Sequence, residues 1–248
     1  AAGTRAAALA HHWRHAATAE ANAKAVAYAK QAADFATQKL AFAEAARLYQ
    51  QAIDWQADRP APDAELARLW IALAGAQQNA GRPEASEQAA WHAIALAESE
   101  GSPELVADAA WRLSAGQYRG QGNERLARSL ETAIDTEAAK PDGGDPRTAS
   151  RLWGLLARTL TYSAPFERVD ACSERSLALA RAAGDAQVEL RALGTRDLVL
   201  ASEPRYEERA ALSRDRVRLA TELGHATEEF QARVYRAQRL IQEIEPDA

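Results

Sequence analysis

The chain has 248 residues, 47% of them hydrophobic, 26% charged and only 6% aromatic, and alanine alone supplies about a quarter of it. Alanine has the best intrinsic helix propensity, and the β-branched and aromatic residues that fill strands are sparse, which excludes a sandwich, a barrel or a doubly wound sheet. Thirty basic residues against thirty-five acidic ones leave a net charge of −5, which argues against wholesale nucleic-acid binding.

Apolar periodicity and helix breakers predict twelve helices, near 4–17, 21–38, 41–57, 63–80, 83–99, 103–119, 123–139, 146–163, 166–182, 186–201, 205–222 and 226–244. Pro60 and Pro62, Gly81 with Pro83, Gly101 with Pro103, Gly120 with Gly122, Pro165 and Pro204 punctuate them. The longest interruption, AKPDGGDPR at 139–147, reads as a surface insertion within one helical domain spanning 1–248. The final helix stops at Glu245-Pro246 with an apolar stripe and no partner after it, and the chain lacks methionine altogether. Both features fit a segment of a longer polypeptide in which the array continues.

No stretch approaches the roughly 18 uninterrupted apolar residues of a membrane span, and the opening AAGTRAAALAHHWRH lacks a signal-peptide core, so a soluble cytoplasmic protein is expected. Cys172 is the one cysteine, and it cannot form an internal disulfide.

A fixed period organises the helices. The segments HAIALAESEGSPEL at 92–105, LALARAAGDAQVEL at 177–190 and VRLATELGHATEEF at 217–230 end one helix and begin the next. Gly101, Gly184 and Gly224 sit where a left-handed cap position is required. A small-then-apolar pair in the middle of each second helix recurs as Ala52-Ile53, Ala93-Ile94, Ala133-Ile134, Ser176-Leu177 and, weakly, Arg216-Val217, in steps of 41, 40, 43 and 40 residues. The preceding helices carry Trp70 with Leu73 and Ala74, then Leu113, then Trp153 with Leu156 and Ala157, in one register. The i, i+3, i+4 spacing puts a bulky residue and a leucine on the stripe that meets the second helix, and the small residue lets the backbones approach. In later copies Leu126 and Val169 stand where a small residue is expected, and Arg196 falls at a core leucine position, which leaves the register near 190–200 open.

The segment AVAYAKQAADFATQKLAFAEAARLYQQAI resembles a tetratricopeptide repeat (TPR), with Ala45, Tyr49 and Ala52 at second-helix signature positions. The segment LWIALAGAQQNAGRPEASEQAAWHAI adds a second copy with Trp70, Leu73, Ala74, Gly81 and Ala93. The spacing of about 40 residues departs from the usual 34 and is similar to the longer-helix repeats of bacterial MalT-like and LuxR-type regulators and of multidomain signalling ATPases and kinases. The opening LAHHW resembles the region following the ATPase module of such regulators. The resemblance covers nearly the whole chain and implies an all-α, right-handed superhelical solenoid of about six antiparallel helix pairs.

The residue patterns of the common catalytic sites do not assemble in this sequence. A phosphate-binding loop needs Gly-Lys-Ser/Thr, yet Lys24, Lys30, Lys39 and Lys140 all lack a preceding glycine. Gly120-Gln121-Gly122 follows no strand and reads as a turn. His11 and His15 have the i, i+4 spacing that can chelate a metal, without a nearby third ligand, and read as inter-helix or surface histidines. Glu207-Glu208 and Glu228-Glu229 read as solvated faces, and no nucleophile–base set can be assigned. The expectation is a protein that is not an enzyme, with no cofactor and no metal.

What remains is the groove. The resemblance implies that first helices line a concave surface, and the register then places there Arg68, Gln78 and Asn79; Asp108, Trp111, Tyr118 and Arg119; Arg151, Arg158, Thr161 and Tyr162; with Arg191 continuing the row. Arginines with interleaved aromatics suit carboxylates, phosphates or an acidic peptide, because guanidinium forks bind such groups in bidentate fashion. Paired surface ions are the alternative explanation of the same arginines. The expected function is an interaction and sensor scaffold within a bacterial signal-transduction or transcription regulator, binding a protein, an acidic peptide or another domain of its own polypeptide. A receptor for an anionic or sugar inducer in the MalT manner is the alternative, and neither reading involves direct nucleic-acid or membrane contact.

Overall fold

Cap chemistry at each boundary decides where the helices begin and end. The computed structural model describes residues 2–16, 18–57, 63–114 and 123–244, which fall in two compact units, Ala1–Arg119 and Gly120–Ala248. The first unit holds α1 (Ala2–His15), α2 (Ala19–Gln38), α3 (Phe42–Ala57), α4 (Asp63–Asn79), α5 (Pro83–Ser99) and α6 (Pro103–Ser114). The second holds α7 (Glu124–Ala138), α8 (Pro146–Leu160), α9 (Phe166–Ala183), α10 (Ala186–Val199), a 3-10 turn at Leu200–Ser202, α11 (Tyr206–Glu222) and α12 (Ala226–Ile244). No strand occurs among the described residues.

Thr18, Asn123, Asp145 and Asp185 accept hydrogen bonds from backbone amides of the first turn that follows, satisfying donors that no intrahelical carbonyl can reach. Gly101, Gly184 and Gly224 adopt left-handed φ values of 60°, 63° and 68°, as their cap positions require. Leu40 reaches the same region at φ 58° without being glycine. The predicted helix over 103–119 is seen as α6 up to Ser114, and its remainder lies outside the described residues. The helix predicted over 186–201 stops at Val199, because Pro204 disfavours helical backbone at Glu203, which is extended at φ −104° and ψ 145°.

Within the units, first helices pack along the second helices that follow them: α2 on α3, α4 on α5, α8 on α9 and α10 on α11. Small residues bring the axes together. Ala25, Ala29, Ala33, Ala45 and Ala52 are fully buried between α2 and α3, and Ala74, Ala90 and Ala93 between α4 and α5. Between α8 and α9 the approach is sealed by reciprocal bonds: Ser150 Oγ donates to the Ser176 carbonyl and Ser176 Oγ to the Ser150 carbonyl, both at 2.8 Å. A Cβ on Gly154 would lie 2.9 Å from Ser176 Oγ, so a side chain there would push the Ser176 hydroxyl out of its bond. Leu73 and Ala74 are buried, as are Leu156 and Ala157, while Trp70 and Trp153 are half-buried, and Trp70 stacks on His92 at 4.5 Å.

Tyr49, at the signature position, is buried and its hydroxyl donates to Asp34 at 2.6 Å. Burial, then the bond to Asp34, pushes its ionisation up from the usual value near 10 to about 12. The neutral phenol therefore contributes stability that is complete below about pH 10 and lost as pH rises toward 12. In an alkaline absorbance titration one of the six tyrosines is expected to ionise later than the rest, and Tyr49→Phe is expected to remove that late step; a titration unchanged by the substitution would contradict the assignment.

The register holds through 190–200, with an altered core. Leu193 occupies the position of Trp70 and Trp153 and is fully buried, and Arg196, at the leucine position, is 1% exposed. Its guanidinium bonds to Asp170 and Ser173 Oγ of α9, to Glu174 of α9 at 3.0 Å and to Glu208 of α11 at 2.8 Å. Arg205 braces Asp170 at 2.9 Å from the other side. Farther along, Asp197 lies between Arg209 at 3.6 Å and Arg216 at 3.8 Å, and Arg216 reaches Glu228 of α12 at 2.9 Å. Arg216 stands where earlier copies carry Ala93, Ala133 or Ser176, and its guanidinium packs over Gly194.

The insertion is clamped at its base. Glu137 of α7, 1% exposed, accepts from the Asp145 amide at 2.6 Å and from Lys140 Nζ at 2.8 Å. Gly144 lies against the Glu137 backbone in the left-handed region, at φ 78°, so the segment between Ala138 and Pro146 wraps over this carboxylate.

Candidate functional site

The first helices of each unit lie side by side, α4 against α6 and α8 against α10, which brings residues one period apart onto adjacent helices. Arg68 on α4 and Asp108 on α6 form one such pair, and Arg151 on α8 and Arg191 on α10 another. Arg68 and Arg191 are exposed, whereas Asp108 and Arg151 are half-buried. Gln78 is half-buried and Asn79 exposed at the end of α4, and Trp111 is 40% exposed on α6. Arg158 is half-buried in the last turn of α8, and just beyond it Thr161 is half-buried and Tyr162 is 60% exposed. Tyr118 and Arg119 lie outside the described residues.

The aromatic part of the row does not repeat. The position of Trp111 is taken by Gly154 on α8 and Gly194 on α10, where a Cβ would meet Ser176 or the Arg216 guanidinium. In the second unit the face is instead basic, and Arg147 extends it. Arg147 lies one turn before Arg151, is exposed, and pairs with Asp185, the cap of α10, at 3.5 Å. The i, i+4 spacing of Arg147 and Arg151 was the available signal for it. Arg112 also belongs beside the row: its guanidinium packs over α4, with its carbon 3.0 Å from where a Cβ on Gly75 would stand. Glycine at 75, on a different helix, gives the guanidinium its close approach to α4, so no local pattern around Arg112 announces it.

Among the described residues no group of three His, Cys, Asp or Glu side chains gathers as a metal site. His11 instead meets the Trp55 ring edge to face at 6.0 Å, and His15 is exposed at the end of α1. No described helix is long and apolar enough to cross a membrane.

No family model matches the chain, and no curated protein matches it. Solved structures do. BtubC (BKLC) from P. vanneervenii superimposes with a TM-score of 0.65 at 16% identity, over 90% of this chain and 91% of that one. A Rap protein complexed with competence and sporulation factor gives 0.60 at 12% identity, over 91% of this chain and 60% of that one. A signal transduction ATPase with numerous domains, carrying a tetratricopeptide repeat sensor, from Pyrococcus horikoshii gives 0.60 at 13% identity, over 87% of this chain and 33% of that one. The fold is TPR-like. The chain thus corresponds to about three fifths of the Rap protein's length and a third of the ATPase's, and at these identities the likeness is one of fold.

Proposed function

We propose that this chain is a non-catalytic interaction scaffold, the sensor region of a bacterial signal-transduction or transcription regulator, and that it receives an acidic segment on the first-helix face of α8 and α10. The segment belongs to a protein partner or to another domain of the same polypeptide. The observation that carries this reading is the concentration of Arg147, Arg151, Arg158 and Arg191 on two adjacent first helices. Guanidinium groups in such a row offer paired donors to successive carboxylates, and their alkyl stems cover apolar surface beneath. The Rap protein in complex with its factor and the ATPase with its repeat sensor are precedents on the same fold.

A fluorescent glutamate-rich peptide and its glutamine counterpart test the reading by anisotropy. The acidic peptide is expected to bind more tightly, with affinity falling as salt rises, and the double variant Arg151→Ala/Arg191→Ala is expected to weaken it by about tenfold or more. Equal binding of the two peptides, or binding unchanged in the variant, would sink the proposal. A rise in melting temperature with a free carboxylate or sugar phosphate, abolished by the same substitutions, would assign the face to a small-molecule inducer instead.

A further inference from the structure

A second site lies away from the first-helix face. α7, α8 and α9 line a cleft of about 530 Å³ that is open to solvent, within the size range of small-molecule sites. Its floor is apolar, made by Trp153 and Leu156 of α8 with Ile134 of α7. Its rim is charged from both sides. Glu131 of α7 and Arg168 of α9 are paired with each other and close one end. Asp135 of α7 and Arg175 of α9 also line it, and among the described residues neither side chain has a hydrogen-bonding or ionic partner. The charges farther along α9 are committed to partners, as Arg181 is to Glu189 and Asp215. Two opposite charges left unpaired on facing walls, over a tryptophan floor, define a ligand by its chemistry.

We propose that this cavity binds a small zwitterion with an aromatic or branched apolar body, of the size of a free amino acid or dipeptide. Its carboxylate meets Arg175, its ammonium meets Asp135, and its apolar body lies on Trp153, Leu156 and Ile134. A simple anion fits poorly, because the unpaired Asp135 carboxylate repels it, and a simple cation meets the same obstacle at Arg175. An uncharged apolar molecule would leave both charges half-desolvated without compensation. The assignment is independent of the acidic partner proposed above, since none of its residues belongs to that face.

Cys172 supplies a reporter. It is the single cysteine, it lies in the cavity wall at 5% exposure, and burial pushes its thiol up. Phenylalanine, its amide, its N-acetyl derivative and benzyl alcohol form a probe set with both charges, one of either sign, and none. At millimolar concentration phenylalanine is expected to slow Cys172 alkylation by N-ethylmaleimide several-fold and to raise the melting temperature, with the other three weaker. In Asp135→Asn the preference for phenylalanine over the N-acetyl derivative is expected to vanish, and in Arg175→Gln the preference over the amide. If no probe changes either readout, or if protection by phenylalanine is unchanged in both variants, the cavity does not bind this class. Protection by benzyl alcohol equal to that by phenylalanine would also overturn the assignment, leaving an apolar cleft without charge recognition.

Discussion

Replacing Arg196 by alanine is expected to destabilise the protein by about 3–5 kcal/mol, the cost of breaking a buried ion pair and leaving the partner charge uncompensated. The guanidinium is buried among Asp170, Ser173, Glu174 and Glu208, and of the three carboxylates only Asp170 is itself buried. Glu174 and Glu208 can turn to water once the guanidinium is gone, but Asp170 keeps only Arg205. Equilibrium urea unfolding followed by far-UV circular dichroism measures the loss, and a change below about 1 kcal/mol would mean that the cluster behaves like an exposed pair. Arg196→Leu restores the residue that the repeat carries as Leu73, Leu113 and Leu156, and is expected to cost less than alanine because the volume is kept. Adding Asp170→Asn to Arg196→Leu is expected to recover most of the remainder, since the uncompensated charge is then removed as well.

Glu137→Ala is expected to cost about 1.5–3 kcal/mol and to expose the segment after α7 to proteolysis. The Asp145 amide loses its acceptor, and Asp145 is itself the cap of α8, so the loss is transmitted to the start of the helix that carries Arg147 and Arg151. Glu137→Gln keeps an oxygen for that amide and gives up only the bond to Lys140, whose side chain is 42% exposed, so a loss of about 0.5–1 kcal/mol is expected. Urea unfolding and limited trypsin digestion, which can cut after Arg147, separate the two variants. Equal protection in the wild type and in Glu137→Ala would show that the insertion is not held by this carboxylate.

Much of the fold was legible because helix boundaries and helix pairing are local and periodic. Gly101, Gly184 and Gly224 marked caps that are left-handed in the structure, and Leu73, Ala74, Leu156 and Ala157 fell on the faces the spacing assigned them. Leu40 was not legible as a left-handed residue, because nothing in its type demands that conformation. The candidate groove was legible as a set of positions but not as a surface. Trp111 suggested a repeating aromatic, but the equivalent positions on α8 and α10 are glycines, of which Gly154 is held tightly against Ser176 of the second helix and Gly194 lies under the Arg216 guanidinium.

The sequence by itself determined an all-helical chain with a period near 40 residues, since both properties follow from residue type and spacing along one strand of chain. Tertiary structure alone decided what the exceptions mean. Arg196 and Arg216 read as faults in the repeat until carboxylates 12 to 26 residues away are seen around them, and Asp135 and Arg175 read as ordinary surface charges until α7 and α9 hold them on facing walls of one cavity. A charge takes its role from what surrounds it in space, and side chains that meet across helix pairs carry no local spacing that would announce the meeting.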